Sequence, residues 1–425
     1  MDALARLADA VPPNVRDVCA TLTGAGHQAV TVGGAVRDAL LGRDPGDWDV
    51  ATSARPEQVQ ALFRHTIPTG LQHGTVTVVT GKGAHTHVEV TTFRGEGAYT
   101  DARRPDHVVF GVPLVEDLAR RDLVVNAMAY DPSKHELIDP FGGQDDIAKR
   151  RLRAVGTAVD RFTEDGLRVM RAMRFAAQLE FDLDPDTEAA IAPALPSLAK
   201  VSRERVCEEL RKTLEARQPS RGLAIAQRTG IIASVLPALV IADVAGWLAR
   251  IDRAAPAVRL AAMLVPLAPA DAPVRHLCRD AVNGVLAILR ALKFSNLESE
   301  LAAQLVGVVQ ASAEPEWDAT QVRELLHEIA RDKRAQAIEL WAAEAVPNAA
   351  LVDQARHVLA AGDPLEVGDL AIRGQDLMKA LDIAPGPVVG RILEMLVEWV
   401  LSDPSRNTRD GLLARARQLE LELGR

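Results

Sequence analysis

Asp47 and Asp49 stand one residue apart in Gly46-Asp47-Trp48-Asp49-Val50-Ala51-Thr52. On an extended run the side-chain period of two turns both carboxylates to one face, close to each other. Carboxylates so placed repel unless cations lie between them. A hard cation such as Mg2+ is commonly held by one or two carboxylates together with substrate phosphates. A second β-like run, His87-Val88-Glu89-Val90, offers Glu89 as a third carboxylate, which would complete a two-metal site for in-line phosphoryl transfer. Upstream, the Gly33-Gly34 pair lies between a strand and a helix, where backbone N–H groups at a helix N-terminus can cradle phosphate. Arg37, one turn further in, adds a cation to the same cradle.

These residues need a scaffold, and the hydrophobic pattern supplies one. Candidate strands are Gln28–Val32, Asp47–Ala51, Thr75–Thr80, Thr86–Thr92, Ala127–Asp131 and Glu136–Ile138, punctuated by Gly and Pro. Ala35–Leu41 and Pro56–Phe63 read as helices between them. After about residue 150 strand signals nearly vanish, and Glu164–Leu179, Ser202–Ala216, Gln321–Ala330 and Val388–Leu401 read as helices. In the last, Val389, Ile392, Leu393, Leu396, Val397 and Val400 form one apolar stripe. Ser202 is a candidate N-cap. The fold class expected is an α/β head with a mixed sheet, followed by an elongated all-α region.

The 425 residues suggest two to four domains. With 48% apolar and 25% charged residues the chain is of the globular class. Its net charge of −9 argues weakly against a nucleic-acid partner, but contact by one face depends on local clusters. One basic cluster comprises Lys149, Arg150, Arg151, Arg153, Arg161, Arg168, Arg171 and Arg174; another comprises Arg406, Arg409, Arg415 and Arg417. Cys19, Cys207 and Cys278 make no metal or disulfide pattern. The N-terminus has no signal-peptide pattern, and the longest apolar stretch, Ile231–Ala242, is short and carries Ser234 and Pro237. No membrane association is expected, and the localisation expected is cytoplasmic. His85 and His87 alternate on a strand without a third partner at ligand spacing, so they read as strand or surface histidines.

Asp-x-Asp alone is usually solvated surface, and it also occurs in sugar-nucleotide transferases. In combination with the Gly pair, the helix and Glu89 it is more specific. The run from Gly33 to Thr52, GGAVRDALLGRDPGDWDVAT, resembles the first motif of the class II CCA-adding tRNA nucleotidyltransferase and bacterial poly(A) polymerase family, within the polymerase-β-like nucleotidyltransferases. By that resemblance Asp47 and Asp49 hold Mg2+, with Glu89 as a third catalytic carboxylate, and Gly33, Gly34 and Arg37 meet the triphosphate. Arg120-Arg121-Asp122-Leu123-Val124-Val125-Asn126-Ala127 resembles the second motif. That implies ribose reading by Arg121, Asp122 and Asn126, although Leu123 and Val124 replace the usual Phe and Thr. Leu137 to Ile147 resembles a third motif joining head and neck. Glu164-Asp165-Gly166-Leu167-Arg168 resembles the fourth, EDxxR.

The spacing places Asp165 and Arg168 on one helix face, where a plain ion pair is the ordinary outcome. The resemblance implies more. A carboxylate accepting from N4–H2 or N6–H2 and a guanidinium donating to the ring nitrogen would take cytosine and adenine alike. Uracil and guanine would leave both groups facing like partners. The region around Ser202–Leu210 resembles a mainly structural fifth motif, and Arg373–Met378 with Pro385–Gly390 loosely resembles a body-to-tail signature.

The organisation implied is a catalytic head over 1–145, a neck with the base-selecting motif over 146–215, a body over 216–345 and a tRNA-binding tail over 346–425. The function implied is addition of CMP and AMP from CTP and ATP to the 3′ end of tRNA without a template. A poly(A) polymerase or an A-only enzyme would share the scaffold. The loop Tyr99–Phe110 is present in full, which argues against a CC-only enzyme. A non-catalytic RNA-binding protein is the rival from another class, against which the intact Asp47, Asp49 and Glu89 speak.

Overall fold

The computed structural model describes residues 3–71, 74–81, 86–96, 108–269, 271, 276–313, 316–344 and 348–422. They fall into two compact units, divided after Pro237.

The first unit begins with two helices, Ala3–Ala10 and Pro13–Gly24, and continues into a mixed sheet. Its strands are β1 (Ala29–Val32), β2 (Asp49–Thr52), β3 (Thr66–Gly70), β4 (Thr75–Val79) and β5 (His87–Thr92). A separate short pair, β6 (Arg94–Glu96) with β7 (Val108–Phe110), comes next in the chain. β8 (Ala129–Asp131) and β9 (Glu136–Ile138) then return to the main sheet, whose order is β3-β4-β5-β2-β1-β8-β9. β2 runs parallel to β5 and antiparallel to β1.

Alternation along β2 sends its side chains to two different cores. Trp48 and Val50 bury against one built from Leu7, Val15, Val18, Val36, Val88 and Val90. Ala51 faces the other, with Val32, Phe93, Leu114 and Leu118. Asp49 therefore takes the Ala51 side by period two. The register pairs Val50 with Val90, so one residue earlier on each strand Asp49 lies level with Glu89.

The expected strands match six of the sheet strands in place, β3 being the exception. Its residues, Thr66–Gly70, are all exposed or half-buried, so they lack the apolar alternation that marks a strand from sequence. Asp47 precedes β2 rather than lying on it, because the Asp44–Gly46 turn delays the extended run. Of the Tyr99–Phe110 loop, only β7 falls among the described residues, and His85 lies outside them.

The rest of the first unit is helical apart from the two-residue strand pair β10 (Arg151–Leu152) and β11 (Asp182–Leu183). The helix expected over Glu164–Leu179 is two helices, Ala158–Glu164 and Leu167–Leu179. Asp165 sits between them in extended backbone. The Asp165 carboxylate accepts the Leu167 N–H at 3.0 Å, a local bond that competes with continued helix. Gly166 packs so tightly on the neighbouring helix Ile191–Leu198 that a Cβ would lie 2.3 Å from the Leu198 nitrogen. The Leu167–Leu179 helix is buried along most of its length. Gly222, whose added Cβ would lie 2.5 Å from the Met173 carbonyl oxygen, lets the helix Pro219–Arg228 cross it closely.

The second unit is all-helical among its described residues. Trp247 and Trp341 are buried in it and donate their indole N–H groups to the carbonyls of Met263 and Val308. The stripe expected in the helix Pro387–Ser402 is buried in full. Arg406, Arg409 and Arg415 pair with Asp403, Asp376 and Glu422. No helix among the described residues is long and apolar enough to cross a membrane.

Candidate active site

A cleft of about 530 Å³ opens in the first unit, lined on one side by Gly33, Gly34, Arg37 and Asp49 and on the other by Asp165 and Arg168. Arg121, Asp122 and Asn126 also line it. Thus every sequence-predicted residue except Asp47 and Glu89 reaches this one cleft. Those two are tied to it electrostatically through Asp49. Asp49 is exposed as a residue, yet the protein around its carboxyl desolvates it. Burial, with Glu89 and Asp47 as like-charged neighbours, pushes its pKa up to about 6, while Arg121 pulls the other way.

The strand–turn–helix joint forms as the Gly pair suggests. Gly33 adopts φ +80°, a left-handed conformation that favours glycine. An added Cβ there would lie 2.8 Å from Arg121 Nη1, so the missing side chain also lets that guanidinium lie against the turn. Asp117, buried on the helix Leu114–Ala119, binds Arg120 at 2.9 Å and Arg121 at 3.7 Å. Burial draws the Arg121 guanidinium below its ordinary range, against the pull of Asp117.

Arg37 is buried and ion-pairs with Asp38 through two hydrogen bonds of 2.9 and 2.8 Å. It also donates from Nη1 to the Asn126 side-chain oxygen. The Asn126 amide in turn donates to Asp122 Oδ1 at 3.2 Å, an oxygen that also accepts the Leu123 N–H at 2.8 Å. The other oxygen, Oδ2, accepts from Arg171 Nε at 2.6 Å. Burial works to raise the Asp122 pKa. The Arg171 charge and the hydrogen bonds from Arg171, Asn126 and Leu123 outweigh it and hold the carboxyl well below the usual range. Leu123 and Val124, the residues that depart from the second motif, are buried, so the changes fall in the core rather than on the cleft wall.

On the helical side, Asp165 and Arg168 do not share one helix face, because Asp165 is outside the helix. Both still line the cleft, each with its own counter-charge. Arg205 Nη2 donates to Asp165 Oδ2 at 2.9 Å. Arg168 Nη1 donates to Glu164 Oε2 at 2.6 Å and to the Arg161 carbonyl at 3.0 Å, and Nη2 to the Arg120 carbonyl at 3.1 Å. Arg205 is a cleft residue that sequence reasoning passed over as part of a structural helix start. Ser202 holds the N-cap position without a side-chain capping bond. Arg171, Arg174 and Phe175 also line the cleft. For Arg171 and Phe175 the signal was available, since 168, 171 and 175 fall at i, i+3 and i+7 on one helix face.

The chain resembles known proteins along its length. Residues 29–153 match the Poly A polymerase head domain family, residues 180–241 the probable RNA and SrmB-binding site of polymerase A, and residues 280–416 a tRNA nucleotidyltransferase domain 2 family. A CCA-adding enzyme of Lactococcus lactis subsp. cremoris is 37% identical over 404 residues, covering 93% of this chain and 94% of that protein. The chain belongs to the CCA-adding enzyme family. A CCA-adding enzyme of Geobacillus thermodenitrificans is 39% identical over 393 residues, 92% of each chain. The crystal structure of the Bacillus stearothermophilus CCA-adding enzyme in complex with CTP matches with a TM-score of 0.71 at 33% identity, covering 97% of this chain and 100% of that one. The Thermotoga maritima CCA-adding enzyme complexed with tRNA shares the fold, with a TM-score of 0.71 at 20% identity. The chain is therefore a nucleotidyltransferase, and members of such families depend on divalent metal ions.

Among the described residues no three His, Cys, Asp or Glu groups close into a metal-binding cluster. A cation shared between carboxylates and substrate phosphates needs no such cage. The donor chemistry fits one: hard oxygen ligands, with like charges crowded around Asp49.

Proposed function

We propose that this chain builds the CCA terminus of tRNA, taking CMP and AMP from CTP and ATP, with Mg2+ as its metal and the cytoplasm as its place of work. What carries the reading is that the phosphate-side residues Gly33, Gly34 and Arg37 and the base-side residues Asp165 and Arg168 line one cleft with Asp49, in a chain of this family. Asp47, Asp49 and Glu89 would hold the metal, which when bound lowers the pKa of the attacking 3′-hydroxyl and neutralises the leaving pyrophosphate.

The side chains do the remainder. The Gly33-Gly34 turn and Arg37 orient the triphosphate, and Asp38 fixes the Arg37 fork. Asp122, kept ionised by Arg171, accepts a ribose hydroxyl, with Asn126 and Arg121 setting its surroundings. Asp165 accepts from the exocyclic amino group of cytosine or adenine, and Arg168 donates to the ring nitrogen. Arg205 and Glu164 hold these two in place, so selection rests on preset directions rather than on a template. The catalytic head is residues 1–145, the neck 146–215, the body 216–345 and the tail 346–425, the last binding tRNA.

The test uses tRNA transcripts ending before CCA, after C and after CC. Each is incubated with Mg2+ and CTP, ATP, both, UTP or GTP, and the products are sized on a gel. The expected result is completion to CCA with both nucleotides and no further growth. A long A ladder would overturn the reading in favour of a poly(A) polymerase, a lone A added to the CC-ending transcript alone in favour of an A-only enzyme, and no growth at all in favour of an RNA-binding protein.

A further inference from the structure

Three guanidinium groups surround one ring. The carbons of Arg174, Arg37 and Arg171 lie 4.1, 5.2 and 5.3 Å from the Phe175 centroid, all within cation–π range. Phe175 is buried, only 6% exposed, and lines the cleft. Three cations so gathered repel one another. The repulsion is visible at Arg174, where burial and the Arg171 charge act in the same direction against Glu209. Each cation has its own carboxylate: Arg37 has Asp38, Arg171 has Asp122, and Arg174 has Glu209 at 2.6 Å. These partners lie on separate elements, with Asp122 linked to Arg37 through Asn126; the ring meets all three cations.

We propose that Phe175 is a positioning residue for nucleotide binding: its π faces hold the guanidiniums of Arg37, Arg171 and Arg174 in one arrangement. The inference rests on the nucleotidyl-transfer reading of this cleft and names a residue that reading does not use. Its consequence is a coupling. Arg37 touches Asn126, Asn126 touches Asp122, and Asp122 touches Arg171, while the ring meets both ends of that chain. Removing the ring quadrupole frees Arg37 and Arg171 together, so grip on the triphosphate and reading of the ribose fall together. A packing residue of equal size would not join these two properties.

The experiment compares Phe175→Leu with Phe175→Tyr in the full chain. Leucine keeps apolar bulk without a π face, and tyrosine keeps the face. Far-UV spectra and cooperative melts establish folding first, and Phe175→Met replaces Phe175→Leu if the latter does not fold. The readouts are KM and kcat for CTP on a tRNA ending before CCA, the preference for CTP over dCTP, and CTP binding by titration calorimetry. For Phe175→Leu we expect KM and the CTP dissociation constant to rise roughly tenfold, as the loss of a few cation–π contacts would give, with a reduced preference for CTP over dCTP. Phe175→Tyr should stay within about twofold of the native protein. Native KM, binding and ribose preference in folded Phe175→Leu would overturn the proposal, leaving Phe175 as packing. So would a Phe175→Tyr variant impaired as deeply as Phe175→Leu. If the native protein binds CTP but extends no tRNA, the transfer reading fails, while the calorimetric comparison still decides the role of the ring.

Discussion

The two walls of the cleft handle charge in opposite ways. On the sheet side, burial and then the like charges of Glu89 and Asp47 raise the Asp49 pKa to about 6, against the pull of Arg121. On the helical side charge meets counter-charge: Arg168 with Glu164, Asp165 with Arg205, Arg171 with Asp122, Arg174 with Glu209. On the proposed reading, a wall awaiting a cation and polyphosphate keeps its carboxylates crowded, although Arg37 beside them is already paired with Asp38. A wall that reads a neutral base needs direction more than charge, and pairing supplies direction at little net field.

The strongest way to break this contrast is at Asp49. Asp49→Ala removes the carboxylate at the centre of the crowded wall, and nucleotide addition should fall by roughly 10³-fold or more, measured as CMP incorporation into a tRNA ending before CCA. Retained activity within about tenfold would move the chemistry off this wall. The paired wall should respond in kind rather than only in degree. Asp165→Ala leaves Arg205 without its partner and, on the proposed reading, removes the acceptor for the exocyclic amino group. CTP and ATP incorporation should drop about 10²-fold, with UTP and GTP discrimination shrinking alongside. A variant that slows all four nucleotides equally would show that Asp165 holds the fold and does not select.

Much of the sheet wall was legible in the sequence because it is local. The Gly33-Gly34 turn, the Asp47–Asp49 spacing and the valines of β5 lie within short windows, and period two tells which face each takes. What stayed hidden depends on partners remote in sequence. The Arg205–Asp165 pair spans forty residues of chain, and no periodicity announces it. The break between two helices at Asp165-Gly166 was hidden for the same reason. It depends on the approach of Leu198 to Gly166, a contact no local pattern encodes. β3 escaped because its residues carry no buried face. The family motifs pointed to the cleft residues, but not to the pairings that hold them.

Glycines test the same contrast through the backbone. Gly166→Ala would drive a Cβ into backbone atoms of Ser197 and Leu198, which cannot yield as a flexible side chain can. Overpacking of this kind costs about 1–3 kcal/mol, and the shift displaces Asp165, so we expect a lower melting temperature together with weakened base selection. Gly33→Ala meets only the tip of the Arg121 side chain. Its cost comes mainly from the positive-φ backbone, about 1–3 kcal/mol, with a rise in KM for CTP and native base selection. Loss of base selection in Gly33→Ala would show that the two walls are not separable.

The smallest effect reports the crowded carboxylates directly. Because burial and Glu89 raise the Asp49 pKa to about 6, ionising it costs the metal-free fold stability. The sign follows from linkage: a group whose folded pKa lies above its unfolded value stabilises the fold below the unfolded value, near 3.8, and that contribution disappears as pH rises through about 6. Asp49→Asn cannot ionise and escapes the loss. In EDTA, the melting temperature of the native protein minus that of Asp49→Asn should therefore fall between about pH 4 and pH 6 and level off above about pH 7. The paired wall should not behave so: the difference between the native protein and Asp122→Asn should change little over that window, since Asp122 is held ionised far below it. Adding Mg2+ and CTP should reverse the order at about pH 7, because the native protein gains a ligand that Asp49→Asn holds weakly. A melting difference for Asp49→Asn that is flat from about pH 4 to pH 8 would mean that neither burial nor its neighbours raise the Asp49 pKa, and the distinction between the two walls would fail at its source.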